Sequence, residues 1–142
     1  MKKILLFGLL SCAALAGNAQ SANRLATPAK VLAQLERYKD LTKHDATASG
    51  SATRSHSEVR PEINRLLVQS ADEFAWVAAG RPTREAYLRC IDEGLARLSP
   101  YTRTAQDRQV VAEFYLDLMN IVGLETSEGR LNGFVAQVQA SR

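Results

Sequence analysis

The sequence predicts an all-α fold, a single small bundle of four to five helices after an N-terminal signal peptide. Three observations predict it. Four segments repeat large apolar residues at i, i+3, i+4 and i+7 spacing, the mark of a helix with one face turned to a core. Thr, Pro and Gly stand where those segments begin and end. Alternating polar and apolar runs of strand length are absent.

The first 19 residues read as an export signal. Lys2 and Lys3 give a positive start, Ile4 to Ala16 an apolar run, and Gly17-Asn18-Ala19 a small-residue cleavage site before Gln20. The run is shorter than the roughly 18 to 20 residues that span a bilayer as a helix. Leu9-Leu10-Ser11-Cys12 also resembles a lipobox, in which Cys12 would carry a lipid anchor. Bulky Leu10 and the apolar stretch Ala13 to Ala16 after the cysteine favour cleavage after Ala19 instead. The expected location is the periplasm or the exterior of the cell, with residues 20–27 as a flexible leader.

Thr27-Pro28 opens the first helix, because Thr caps a first-turn amide and Pro loses nothing at the first helical position. Val31, Leu32, Leu35, Tyr38 and Leu41 share one face, which predicts a helix over 28–42. Residues 43–59 include HDATASGSATRSHSE, rich in Ser, Thr, Ala and Gly with no large apolar side chain. With nothing to bury, they are expected to form a flexible polar loop. Such a loop either separates a loosely attached first helix from the main bundle of 60–142 or carries function.

Pro61 starts the second helix, whose stripe is Ile63, Leu66, Leu67, Ala71, Phe74, Val77 and Ala78, and Gly80 is its expected left-handed stop. Thr83 caps the third, with Glu85 in the first turn and Tyr87, Leu88, Ile91, Leu95 and Leu98 as its face. Gly94 interrupts that face at a cost of about 1 kcal/mol against Ala, which implies close approach of another helix. Ser99-Pro100 ends the segment. Thr104 and Asp107 have capping-box spacing for the fourth helix, and Val110, Val111, Phe114, Leu118, Ile121 and Val122 line it before Gly123. Leu131, Phe134, Val135 and Val138 predict a short fifth helix from about Gly129.

The totals exclude little. The 142-residue chain has 18 Lys+Arg against 15 Asp+Glu, and two of the lysines belong to the signal, leaving a nearly neutral remainder. That balance points to neither nucleic acid nor an anionic membrane. After cleavage at Ala19, Cys90 stands alone and is read as a small buried apolar residue.

Searches for reaction chemistry find no strong pattern. His44-Asp45 and His56-Ser57-Glu58 offer zinc-type ligands, but not at coordinating spacing on a rigid element. Glu113 and Asp117 lie four apart on one flank of the fourth helix, the usual arrangement of a solvated surface. Ser55, His56 and Ser57 lack a rigid elbow to align a nucleophile with a base. No cofactor, metal or catalytic residue is expected from these patterns.

Trp76 breaks the pattern of its helix. It lies roughly 200° around from the centre of the apolar face, at about 100° per residue. It shares that side with Arg65, Gln69 and Asp72. A tryptophan there either packs under another element or stands exposed as an anchor for a partner.

Three stretches, INRLLVQSADEFAWVAAG, CIDEGLARLSP and above all LMNIVGLETSEGRLNGF, resemble a bacterial family known as domain of unknown function 4844, over about residues 60–134. Gly123, Leu124, Glu125, Gly129, Leu131 and Asn132 carry most of the likeness. The resemblance implies a small helical, often exported protein and brings no functional residues with it. A non-catalytic module that binds another protein, of the inhibitor or immunity type, is the leading expectation. Trp76, Asp72, Arg65, Glu125 and Asn132 are its candidate partner surface, with Trp76 and the turn from Glu125 to Asn132 expected to form one patch. The alternatives are an enzyme whose site assembles only in three dimensions and a carrier of a small apolar ligand.

Overall fold

The computed structural model describes residues 28–48 and 60–137. The signal, the leader and residues 49–59 lie outside that range. The described residues form five helices: α1 (Pro28–Ala48), α2 (Arg60–Ala79), α3 (Arg84–Leu98), α4 (Ala105–Val122) and α5 (Arg130–Ala136). They make a small all-α bundle.

The first helix departs from its predicted end. It continues six residues past Thr42, through Lys43-His44-Asp45-Ala46-Thr47-Ala48. Nothing in that stretch breaks a helix, since the first glycine downstream is Gly50. It is also not loosely attached. α1 and α2 make the most extensive helix pair, and Val31 and Leu35 are both only 1% exposed. α1 therefore belongs to the main bundle. Leu41, expected on its buried face, is exposed.

α2 and α3 bury the predicted residues except Val77, which is only partly buried, and Phe74, Ile91 and Leu98 are fully enclosed. Gly80 ends α2 without a left-handed backbone. Its amide bonds to the carbonyls of Trp76 and Val77, and Pro82 then prevents continuation. Thr83 caps α3 by accepting from the Ala86 amide. The capping box of α4 forms as spaced: the Thr104 hydroxyl accepts from the Asp107 amide while the Asp107 carboxylate accepts from the Thr104 amide. Gly123, at φ 75°, closes α4 in the left-handed region.

α4 packs against α1, α2 and α5. It consequently buries more of its circumference than one stripe. Tyr115 and Met119 join the core, whereas Val110, expected inside, stays exposed. The α2–α3–α4 seam closes at Gly94. A Cβ there would lie 1.8 Å from the Tyr115 hydroxyl oxygen and 3.1 Å from Ser70 Oγ, so the close approach inferred from the glycine is met by Tyr115. Ser70 donates to the Leu66 carbonyl, which leaves its oxygen to accept the Tyr115 hydroxyl at 2.7 Å.

Candidate functional site

The five candidate residues fall on two surfaces. Arg65, Asp72 and Trp76 stand on α2 at spacings of seven and four, which returns to one side of a helix. Ser70 and Phe74 face α4 through Tyr115. Arg65, Asp72 and Trp76 occupy the side of α2 turned away from that contact. Trp76 is 82% exposed, so the packing alternative is not what the fold adopts. Asp72 accepts from Lys39 of α1 at 2.8 Å, and that ammonium also bonds Glu36. Both carboxylates raise the Lys39 pKa through those hydrogen bonds. Arg65 pairs with Glu62 one turn earlier. The stripe is thus an exposed indole beside side chains already held in local ion pairs.

Glu125 and Asn132 meet elsewhere, on a groove between α4 and α5 of about 460 Å³. Leu116, Met119, Leu131 and Val135 supply its apolar part, and Gln109, Thr126 and Ser127 add polar groups beside Glu125 and Asn132. Leu116 is 47% exposed at the groove. No hydrogen bond or ion pair among the described residues links this groove to the α2 stripe, and α2 and α5 barely touch.

The turn that carries Glu125 is pinned at both ends. The Leu124 amide donates to the Met119 carbonyl at 2.8 Å, and Leu124 is buried. Glu128 takes a left-handed φ of 55°, unusual for a residue with a side chain. Arg84 of α3 and Arg130 of α5 both grip its carboxylate, and Arg130 reaches on to Asp92 at 2.8 Å. The Glu128 amide donates to Thr126 Oγ1.

Arg108 was hidden from sequence reasoning. Only 8% exposed, it donates to the Thr102 and Phe134 carbonyls, to Gln137 Oε1 and to Ser99 Oγ. Its guanidinium carbon also sits 4.5 Å from the Phe134 ring centroid, a cation–π contact. It fastens the α3–α4 turn to α5. The signal lay in its position, since Arg108, Val111, Tyr115, Leu118 and Val122 alternate three and four apart, placing a charge on the apolar seam.

The residues weighed for chemistry are occupied otherwise. Asp117 accepts the Tyr38 hydroxyl at 2.8 Å, and Glu113 accepts from Gln109. Burial, and then the Asp117 carboxylate, push the Tyr38 pKa above its ordinary value. Cys90 is half-buried, and burial together with Glu73 and Glu93 pushes its thiol up to about 11. The ligand-type pairs at His44-Asp45 and His56-Ser57-Glu58 lie outside the described side chains. Among those described, no three His, Cys, Asp or Glu groups cluster as metal ligands.

A family model described as a domain of unknown function, DUF4844, matches residues 26–139. The chain belongs to that family. The match starts upstream of the likeness read over 60–134 and takes in α1, in keeping with the packing of that helix on α2. No curated protein and no solved structure matches the chain. No helix among the described residues is long and apolar enough to cross a membrane.

Proposed function

We propose that this protein is a non-catalytic protein-binding module of the inhibitor or immunity type, working outside the cytoplasm. Its contact surface is the outer stripe of α2, with Trp76 near the helix end, Asp72 one turn before it and Arg65 three turns before it. The single observation that carries this reading is the 82% exposure of Trp76. A tryptophan side chain hides on the order of 150 to 250 Å² when covered. At about 25 cal/mol per Å², a partner that covers it gains several kcal/mol. Asp72, one turn before Trp76, is paired with Lys39 of α1. A side chain already paired suits recognition, because less of its freedom is lost on binding.

The enzyme alternative has less support. It needs two ionisable groups in one cleft with their pKa values pushed apart. The α4–α5 groove offers one, Glu125. Cys90, with its thiol pushed up to about 11, stays protonated at neutral pH and is a poor nucleophile. The carrier of an apolar ligand has the groove volume in its favour but not the mixed lining.

The test is capture from the envelope fraction of the native cells, with the protein and its Trp76→Ala variant compared side by side. One specific protein retained by the first and lost by the second, with unchanged melting, supports the reading. Identical profiles overturn it. Export is tested by sequencing the accumulated protein from its N-terminus. The expected first residue is Gln20, and a lipid-modified Cys12 would redirect the location to a membrane surface. An unprocessed cytoplasmic chain removes the export part of the proposal.

A further inference from the structure

We infer that the α4–α5 groove is a second, separate site, for a ligand with a short apolar body bearing an ammonium group. Leu116 lies half open to water at the groove, beside Met119, Leu131 and Val135. Glu125 and Asn132 line the same groove, so a ligand seated on this apolar part lies beside both. Neither of those side chains has a hydrogen bond or ion pair among the described residues. Dehydrating a carboxylate without a partner is costly, so a purely apolar ligand fits poorly. Glu125 is the one formal charge in the lining, with no Lys or Arg beside it. An anion is therefore repelled, while an ammonium donates to the Glu125 carboxylate and to the Asn132 side-chain oxygen.

The turn is built to hold Glu125 still. Gly123 and the buried Leu124 fix its start, and Glu128, in the left-handed backbone region, fixes its end. The Arg84–Glu128–Arg130–Asp92 chain of ion pairs holds the Glu128 side chain between α3 and α5. The three residues between, Glu125, Thr126 and Ser127, are the ones that face the groove. A volume of about 460 Å³ falls within the roughly 300 to 1,000 Å³ of small-molecule sites. The ammonium has two natural sources, a free amine or a lysine next to an apolar residue in a partner's segment.

The experiment titrates the purified protein with three probes of equal chain length: hexylammonium, 1-hexanol and hexanoate. Calorimetry gives affinities, and NMR shifts at Leu116, Thr126 and Asn132 locate the site. Hexylammonium is expected to bind at least tenfold more tightly than either competitor, with the shifts confined to the groove. Glu125→Gln, at an exposed position without a hydrogen bond, is expected to shrink that preference to about twofold. A parallel titration with N-acetyl-Leu-Lys-amide separates the sources, since tighter binding by the peptide assigns the site to a partner segment and tighter binding by hexylammonium to a free amine. Equal binding of the three probes, shifts elsewhere, or a preference that survives Glu125→Gln overturns the inference. The probe comparison on the unaltered protein decides it even if the variant fails to fold. Loss of partner capture by Trp76→Ala is a separate readout, so either site can fail alone.

Discussion

Two parts of this bundle bury a polar side chain, and they do so by opposite means. At the α2–α3–α4 seam, Tyr115 is enclosed because Gly94 has no side chain, and one hydroxyl partner, Ser70, completes it. At the α4–α5 junction, Arg108 is enclosed because four acceptors and an aromatic face surround it. The seam is held by shape and the junction by satisfied donors. Shape should fail on the addition of one atom, and satisfied donors on the loss of a charge at constant volume.

The largest expected effect is at the seam. In an open helix, Gly→Ala gains about 1 kcal/mol. At Gly94 the new methyl would stand 1.8 Å from the Tyr115 oxygen, and fully buried Tyr115 has no room to swing aside. Gly94→Ala is therefore expected to destabilise by about 3 kcal/mol, the upper part of the overpacking range. Thermal melting should fall by roughly 10 °C. Adding Tyr115→Phe removes the clashing oxygen and should restore part of the loss, which a double-mutant cycle would read as strong coupling. A melt that rises in Gly94→Ala breaks the comparison at its first step.

Arg108→Met comes second. It keeps most of the volume and strips every donor, leaving the Thr102 and Phe134 carbonyls without their guanidinium partner. The expected cost is about 2 kcal/mol. The place of the damage matters more than its size. Hydrogen exchange should show α5 losing protection while α2 and α3 keep theirs, because α5 leans on α4 and only lightly on α3. Uniform loss across all helices would show that the junction is not a separate fastening.

The same contrast explains what could be read beforehand. The faces of α2 and α3 were legible because each presents one apolar stripe to the core. α4 was legible only in part: the expected Val111, Phe114, Leu118 and Val122 are buried, but Tyr115 and Met119 are buried off that stripe and Val110 is left outside. Gly94 announced a close approach but not its partner, since Tyr115 lies 21 positions on and meets it only through the fold. Arg108 sat in plain sight on an apolar seam, but two of its four acceptors are backbone carbonyls, which no sequence pattern displays, and the other two, Ser99 and Gln137, lie 9 and 29 positions away. The groove was invisible for a related reason. Leu116 of α4 and Leu131 and Val135 of α5 meet only through the packing of α5 on α4.

Cys90 sharpens the shape-held side through pH. It lies beside the seam, and burial, with help from Glu73 and Glu93, pushes its thiol up to about 11 from 9.0. The folded chain thus prefers the neutral thiol more than the unfolded chain does. That contribution to stability is fully present below about pH 9 and is lost as pH rises through about 11. Because the thiolate is the reactive form, iodoacetamide at pH 8 should label Cys90 on the order of 100-fold more slowly than a free thiol. Cys90→Ala supplies the blank. Labelling as fast as glutathione would mean that the seam opens locally.

Trp76 is expected to show the smallest effect on stability, and it tests where shape stops mattering. It lies six residues from Ser70 on the same helix, yet Ser70 is 1% exposed and Trp76 82%. Removing the indole leaves no cavity and no unpartnered buried group. Ala is also the better helix former, by a few tenths of a kcal/mol. Trp76→Ala should therefore melt within about 0.5 kcal/mol of the original protein. A loss above about 1.5 kcal/mol would mean that the indole is covered in solution by part of the chain outside the described residues. The α2 surface would then belong to the fold and could not also be the contact for a partner. Neutral stability together with lost capture is the combination that separates a surface kept for binding from one kept for packing.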